Sequence, residues 1–210
     1  MRADFEAVPD AELARQSQAG SLPAFEELVY RYEARIYGFL LKSCGNETDA
    51  RELTQDTFVR AFQAMLQFDA RREFAPWLFS IARRKLIDRV RARRTVSEEP
   101  APESLDLMDP AESLARSEDS QNLWARARRK LPAIQFQALW LRYVEDMDVA
   151  QVAQVVGRTR THVKVLLFRA RTALAKELQG LDNVPRARLN PKLSVTQTPT
   201  TLRAANLITH

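Results

Sequence analysis

The chain is predicted to be all-α, built as two small helical domains joined by an acidic flexible linker, the second carrying a helix-turn-helix. Three observations predict it. Apolar residues recur at the helical period along nearly every segment. No pair of alternating runs flanks a hairpin turn. Prolines and glycines fall where the periodic runs begin and break, as helix starts and stops require.

The elements follow in order. A short lead-in helix is expected around 10–19. Pro23 then opens a longer one, in which Phe25, Leu28, Val29, Tyr32, Ile36, Phe39 and Leu40 share a face. Gly45-Asn46 ends it. From about Glu47 the spacing turns Leu53, Phe58, Ala61, Phe62 and Met65 inward and leaves Asp49, Glu52, Gln55 and Asp56 outside. A third helix is expected after Pro76, with a stripe of Trp77, Leu78, Ile81, Ala82, Leu86 and Val90. The rest of its surface is cationic: Arg83, Arg84, Lys85, Arg89, Arg91, Arg93 and Arg94, opposed by Asp88 alone. Phe68, Phe74, Trp77 and Phe79 lie at its start. Aromatic planes beside a cationic groove can hold unstacked single-stranded bases, but for Trp77 and Phe79 the competing role as core residues is favoured.

These elements make a first domain over 10–95. From Val96 to Asp119 the composition turns acidic, with three prolines and a lone Arg116 among the carboxylates. This reads as a linker over 96–119, either a solvated tether or a segment drawn to a positively charged channel. A second domain spans 120–179. It opens with a helix through Leu131, is broken by Pro132, and continues in a helix bearing Ile134, Leu139, Leu141 and Val144, with Phe136, Trp140 and Tyr143 in its other positions. The remainder, 180–210, carries no carboxylate after Asp182 and reads as a basic tail.

The most telling segment runs from Asp148 to Arg171. Asp148 is placed to cap a helix whose apolar positions are Val149, Val152, Ala153 and Val156, and Gly157 supplies a turn that needs positive φ. Thr159 or Thr161 can cap the next helix, whose core stripe is Val163, Leu166, Leu167, Ala170 and Leu174. Its other face presents Arg158, Arg160, His162, Lys164, Arg169 and Arg171. Two helices at this spacing form a unit whose second member enters a DNA major groove, where arginine and lysine bond guanine edges and phosphates. An ordinary solvated basic face is the alternative.

Composition bounds the function. A formal charge of +5 and a pI near 9.6 favour a polyanionic partner, and the clustering of that charge favours it more. The single Cys44 excludes an intramolecular disulfide or a multi-cysteine metal site and fits a reducing cytosol. The N-terminus has no apolar signal stretch, and no run approaches the ~18 apolar residues of a membrane span, so a cytoplasmic protein is expected. Carboxylates are dispersed, one histidine lies in the DNA-reading helix and the other is the last residue. No catalytic constellation, metal site or cofactor is therefore expected.

Ala24-Phe-Glu-Glu-Leu28, Asp49 through Phe62, Phe74-Ala-Pro-Trp-Leu-Phe-Ser-Ile-Ala-Arg83 leading to Asp88, Leu131-Pro132, Leu141-Arg-Tyr-Val-Glu145 and the helix-turn-helix form an ordered set. The set resembles bacterial sigma factors of the extracytoplasmic-function group, over roughly 10–179. The resemblance implies a dissociable specificity subunit of RNA polymerase rather than an enzyme. Asp49, Glu52, Gln55 and Asp56 would then meet a coiled coil of the largest catalytic subunits. Trp77, Arg83, Arg84, Lys85, Arg89 and Arg91 would bind the minus-ten promoter element, beside a base pocket in the loop from Phe68 to Glu73. Lys164, Val165, Phe168 and Arg169, with Arg158, Thr159, Arg160, Thr161, His162 and Arg171 around them, would read the minus-thirty-five element. The acidic linker would run toward the RNA path, and an anti-sigma factor is the usual partner that silences the family. Arg84 replaces a common asparagine, Arg51 reverses a common acid, and Thr161-His162 and Val165 depart from the family's usual residues. The rival class is a polymerase-independent helix-turn-helix regulator.

Overall fold

The computed structural model describes residues 5, 7–96 and 123–182, of which 94–96 and 178–182 are described by backbone alone. The expected linker, apart from Val96, and the tail beyond Asp182 lie outside the described residues. Eight α-helices make up this part, with no strand among the described residues: α1 (Asp10–Gln18), α2 (Leu22–Cys44), α3 (Glu47–Ala64), α4 (Phe74–Val96), α5 (Leu123–Lys130), α6 (Ala133–Tyr143), α7 (Val149–Val156) and α8 (Arg160–Asp182).

Local chemistry sets the helix ends. Ser21 caps α2, accepting from the Ala24 N–H, and Pro23 occupies its first turn. Gly45 closes α2 at φ 74°, and Asn46 caps α3 by accepting from Asp49 N–H at 2.9 Å. A 3₁₀ turn over Met65–Gln67 follows α3. The helix expected after Pro76 begins at Phe74 instead. Proline costs nothing in a first turn, where its missing N–H would have no helical acceptor. At the far end, α8 continues to Asp182, past the expected start of the tail.

The first half packs α1 to α4 around Leu28, Ile36, Phe39, Leu40, Leu53, Leu78 and Phe79, all essentially inaccessible. Phe39 and Phe79 meet edge to face at 5.5 Å, so the ring of Phe79 is core. Tyr32 donates to Asp10, tying α1 to α2, and Arg31 adds a 2.7 Å ion pair to the same carboxylate. Burial and that carboxylate push the Tyr32 hydroxyl far above the ordinary tyrosine range.

One inward assignment fails. Phe62 is 54% exposed. It is an apolar residue at the edge of a helical stripe, where the period alone cannot tell contact from solvent.

The second half packs α5 to α8 around Phe136, Leu139, Leu141, Val152, Val156, Val163 and Leu167, with Trp124 against Trp140 at 5.0 Å. The two halves share one continuous core. α4 lies along α7, and α2 against α5 and α6.

Candidate nucleic-acid interface

The helix-turn-helix forms as its residues demand. Asp148 accepts from Gln151 N–H at 2.8 Å while the Gln151 side chain accepts from Asp148 N–H at 2.6 Å, a reciprocal cap on α7. Gly157 ends α7 at φ 64° with nothing near its missing side chain, so this glycine is required by backbone conformation and not by crowding. Thr159 accepts from His162 N–H at 3.2 Å and caps α8. Val163, Leu166, Leu167, Ala170 and Leu174 are buried. That stripe fixes which face is left for a ligand.

The outward face carries Arg160, Thr161, His162, Lys164, Val165, Phe168 and Arg169, all exposed, with Arg171 half-exposed at its edge. Arg158 and Thr159 are exposed in the turn before it. Phe168 is 64% exposed and Val165, one turn earlier, is 41% exposed. A large ring left in water between Lys164 and Arg169 does no work for the core. Flanked by cations, it suits an apolar contact such as a thymine methyl.

The second cationic surface is less free than its sequence implies. Arg89 donates to Asp49 at 3.0 Å and to Glu52 at 2.7 Å, Arg93 pairs with Asp49 at 2.6 Å, and Lys85 lies 3.5 Å from Asp56. These pairs zip α4 to α3. Arg83 is half-buried and donates to Gln137 at 2.9 Å; its desolvation and the neighbouring charge of Arg158 depress its pKa. Arg84 and Arg91 are exposed.

Asp49 was expected on the exposed side of α3 and is buried, only 4% accessible. α3 is close enough to α4 at its N-terminal end for the two arginines to cover it. Glu52, Gln55 and Asp56 are exposed as expected. Of the aromatic residues, Phe68 and Phe74 are buried and Trp77 is half-buried against both, at 4.7 and 5.5 Å. One edge of Trp77 is thus all that this cluster offers a base.

Sequence reasoning missed an apolar surface on α3. Val59, Phe62 and Leu66 are 52, 54 and 80% exposed, and Val59 and Phe62 border, with Leu22 and Tyr37, an open groove between α2 and α3. Their i, i+3, i+7 spacing was the available signal. It was masked because Leu53, Phe58 and Ala61 already made one stripe.

No group of three or more residues suited to a metal exists among the described residues, and none of the described helices is long and apolar enough to cross a membrane. Cys44 is a free thiol whose Sγ donates to the Asn46 carbonyl at 3.3 Å, and burial raises its pKa.

Comparison with known proteins places these surfaces in context. The family model described as "Sigma-70 region 2" matches residues 28–96, and "Sigma-70, region 4" matches residues 122–174. The ECF RNA polymerase sigma factor BldN of Streptomyces coelicolor is 31% identical over 84% of this chain and 68% of its own length. RNA polymerase sigma factor CnrH of Cupriavidus metallidurans is 30% identical over 81% and 95%. The solved structure of CnrH in complex with the cytosolic domain of CnrY superposes with a TM-score of 0.62, at 29% identity, over 81% of this chain and 97% of that one.

Proposed function

Because the chain belongs to the extracytoplasmic-function group of sigma-70 factors, we propose that it binds core RNA polymerase and directs promoter-specific transcription initiation. The observation that carries this reading is the α7–α8 unit, with its reciprocal cap, left-handed glycine turn and cationic outer face. In it, Arg158 to Arg171 meet the minus-thirty-five element: Lys164 and Arg169 bond base edges, Phe168 and Val165 make apolar contact, and Arg158, Arg160 and Arg171 serve the phosphates. The polymerase supplies the catalytic centre, so the chain itself acts as a specificity subunit.

The first half divides its work between two helices. On α4, Arg84 and Arg91 are placed for the minus-ten element, with the open edge of Trp77 for a base. Arg89 and Lys85 serve chiefly to hold α4 on α3. On α3, Glu52, Gln55 and Asp56 form a polar margin beside the apolar row of Val59, Phe62 and Leu66. That pairing of rim and centre fits a helical polymerase surface better than the carboxylates alone. Asp49 belongs to the interior of this unit. CnrH was solved with the cytosolic domain of CnrY, and a comparable anti-sigma partner is inferred to cover the same surfaces here.

In vitro transcription with bacterial core RNA polymerase and a library of genomic promoters, with and without the protein, tests the reading. New start sites sharing two spaced upstream motifs are expected. No new starts, together with binding to duplex DNA by the protein alone, would favour a polymerase-independent regulator.

A further inference from the structure

Gln18, the last residue of α1, reaches out of its own helix onto the backbone of another element. Its side-chain amide nitrogen donates to the Met65 carbonyl at 3.0 Å and to the Phe68 carbonyl at 2.5 Å. Two carbonyl acceptors can be served only by the nitrogen end of the amide, so the partners set its orientation. The end of α1 has no need of this side chain. The N–H groups of Ala19, Gly20 and Ser21 already return to the carbonyls of Arg15, Ser17 and Gln16 at 3.0, 3.1 and 2.9 Å, with Gly20 at φ 94°. A half-buried glutamine is thus ordered, at an entropic cost, for two bonds to one short piece of chain.

That piece is where α3 gives way to the loop before α4. Met65 opens the 3₁₀ turn and Phe68 follows it, both buried. The Phe68 N–H donates to the Met65 carbonyl at 3.0 Å, so Gln18 takes the second lone pair of that oxygen and also binds the carbonyl from which the loop departs. The Phe68 ring in turn lies against Trp77 at 4.7 Å and Phe74 at 5.8 Å. Beyond Phe68 the loop bonds mainly to itself. Arg71 N–H donates to the Asp69 carboxylate at 3.1 Å, Arg72 N–H to the Asp69 carbonyl at 2.9 Å, and the Arg72 side chain pairs with Asp69 at 3.8 Å. Glu73, at the far end, bonds Gln151 of α7. Gln18 therefore ties the origin of the loop to the first half.

The rest of α1 gives that tie a fixed base. Tyr32 and Arg31 hold Asp10 at the start of the helix, and Leu13 and Ala14 are buried in its middle. A helix pinned in this way presents Gln18 at a set place for acceptors 47 and 50 residues away. α1 also precedes residue 28, where the match to sigma-70 region 2 begins.

We propose that Gln18 is a positioning residue for promoter opening: it fixes the Phe68 carbonyl, and with it the loop to Glu73 and the ring supporting Trp77, where an unstacked base is held. That role rests on the sigma-factor reading, in which the base belongs to the melted minus-ten strand. The role requires N–H donors and not volume. Gln18→Met keeps a long side chain and high helix propensity but has no donor. Gln18→Ala removes donors and bulk together, and Gln18→Lys restores donors on a long stem.

Full-length forms are compared first by hydrogen exchange of the free chain, with helicity by circular dichroism as the folding control. They are then combined with bacterial core RNA polymerase on a promoter mapped by transcription, its minus-ten element carrying 2-aminopurine, whose fluorescence rises as the strands part. Binding of each holoenzyme to the same duplex is measured in the cold, before opening. Gln18→Met and Gln18→Ala are expected to exchange faster over residues 65–73 while α8 is unchanged. Both should bind the closed duplex like the parent but open it roughly tenfold less, as loss of two modest hydrogen bonds implies. Gln18→Lys should open it nearly as well as the parent. If Gln18→Met misfolds, Gln18→Ala carries the comparison. Unchanged exchange, unchanged opening, closed binding that falls in step with opening, or no rescue by Gln18→Lys would each overturn the assignment. A parent that opens no promoter would remove the sigma-factor reading and the role in opening with it, an outcome that the exchange data tell apart from failure of the tether.

Discussion

Arg93 of α4 reaches Asp49 of α3 at 2.6 Å, while Arg89 bonds the same carboxylate at 3.0 Å. One buried acid therefore organises two arginines, one of which, Arg89, sequence alone assigns to promoter DNA. Asp49→Ala should lower stability by about 1 to 2 kcal/mol, because Arg89 keeps Glu52 and both arginines can turn to solvent. Urea denaturation measures it. A variant as stable as the parent but weaker for polymerase would return Asp49 to the contact surface.

Phe168 and Leu167 are neighbours in sequence with opposite fates, 64% and 6% exposed. Phe168→Ala is expected to leave stability within about 0.5 kcal/mol while weakening binding to a mapped promoter by roughly tenfold, about 1.4 kcal/mol. Leu167→Ala should cost about 2 to 4 kcal/mol of stability. Thermal melts and promoter titration, run on both, separate packing from recognition.

Arg169 and Arg171 should differ in kind. Arg169→Ala is expected to weaken promoter DNA more than random DNA. Arg171→Ala should weaken both alike and reduce the salt slope by about 1. Affinity measured across a salt series on the two DNAs decides it, and equal losses for both variants would defeat the assignment.

Gly157→Ala places a side chain at φ 64° with no atom within 4 Å to obstruct it. Its cost is conformational, about 1 kcal/mol, and Gly157→Asn should recover part of it, since asparagine tolerates the left-handed region. Melting temperatures of the three forms provide the check.

Cys44 should alkylate slowly at neutral pH. Burial disfavours its thiolate, so reactivity rises only above the ordinary thiol range of about 8.5. Since the folded-state pKa exceeds the unfolded one, the thiol should also make stability fall as pH climbs from the unfolded value toward the folded one. A pH series of alkylation rates against a cysteine peptide tests the first effect.

Periodicity and punctuation were enough to place most helices. The stripe from Val163 to Leu174, the cap at Asp148 and the turn at Gly157 depend on neighbours within a few residues, so the helix-turn-helix and its exposed cationic face were legible before any fold was known. Its position relative to α4 was not. Helical period says that Arg83, Arg89 and Asp49 lie off the core stripe, but not whether solvent or another helix waits there. For Asp49 it was α4, for Arg83 the Gln137 of a distant segment, and for Phe62 it was water.

The linear chain by itself determined the helical class, the capped ends and the clustering of charge, because those follow from interactions across one or two turns. Tertiary structure alone decided which cations remain exposed for DNA, which acid is consumed in packing, and that Arg35 would meet Glu145 across 110 residues. Those outcomes depend on which surfaces exclude water together, and no local pattern encodes that.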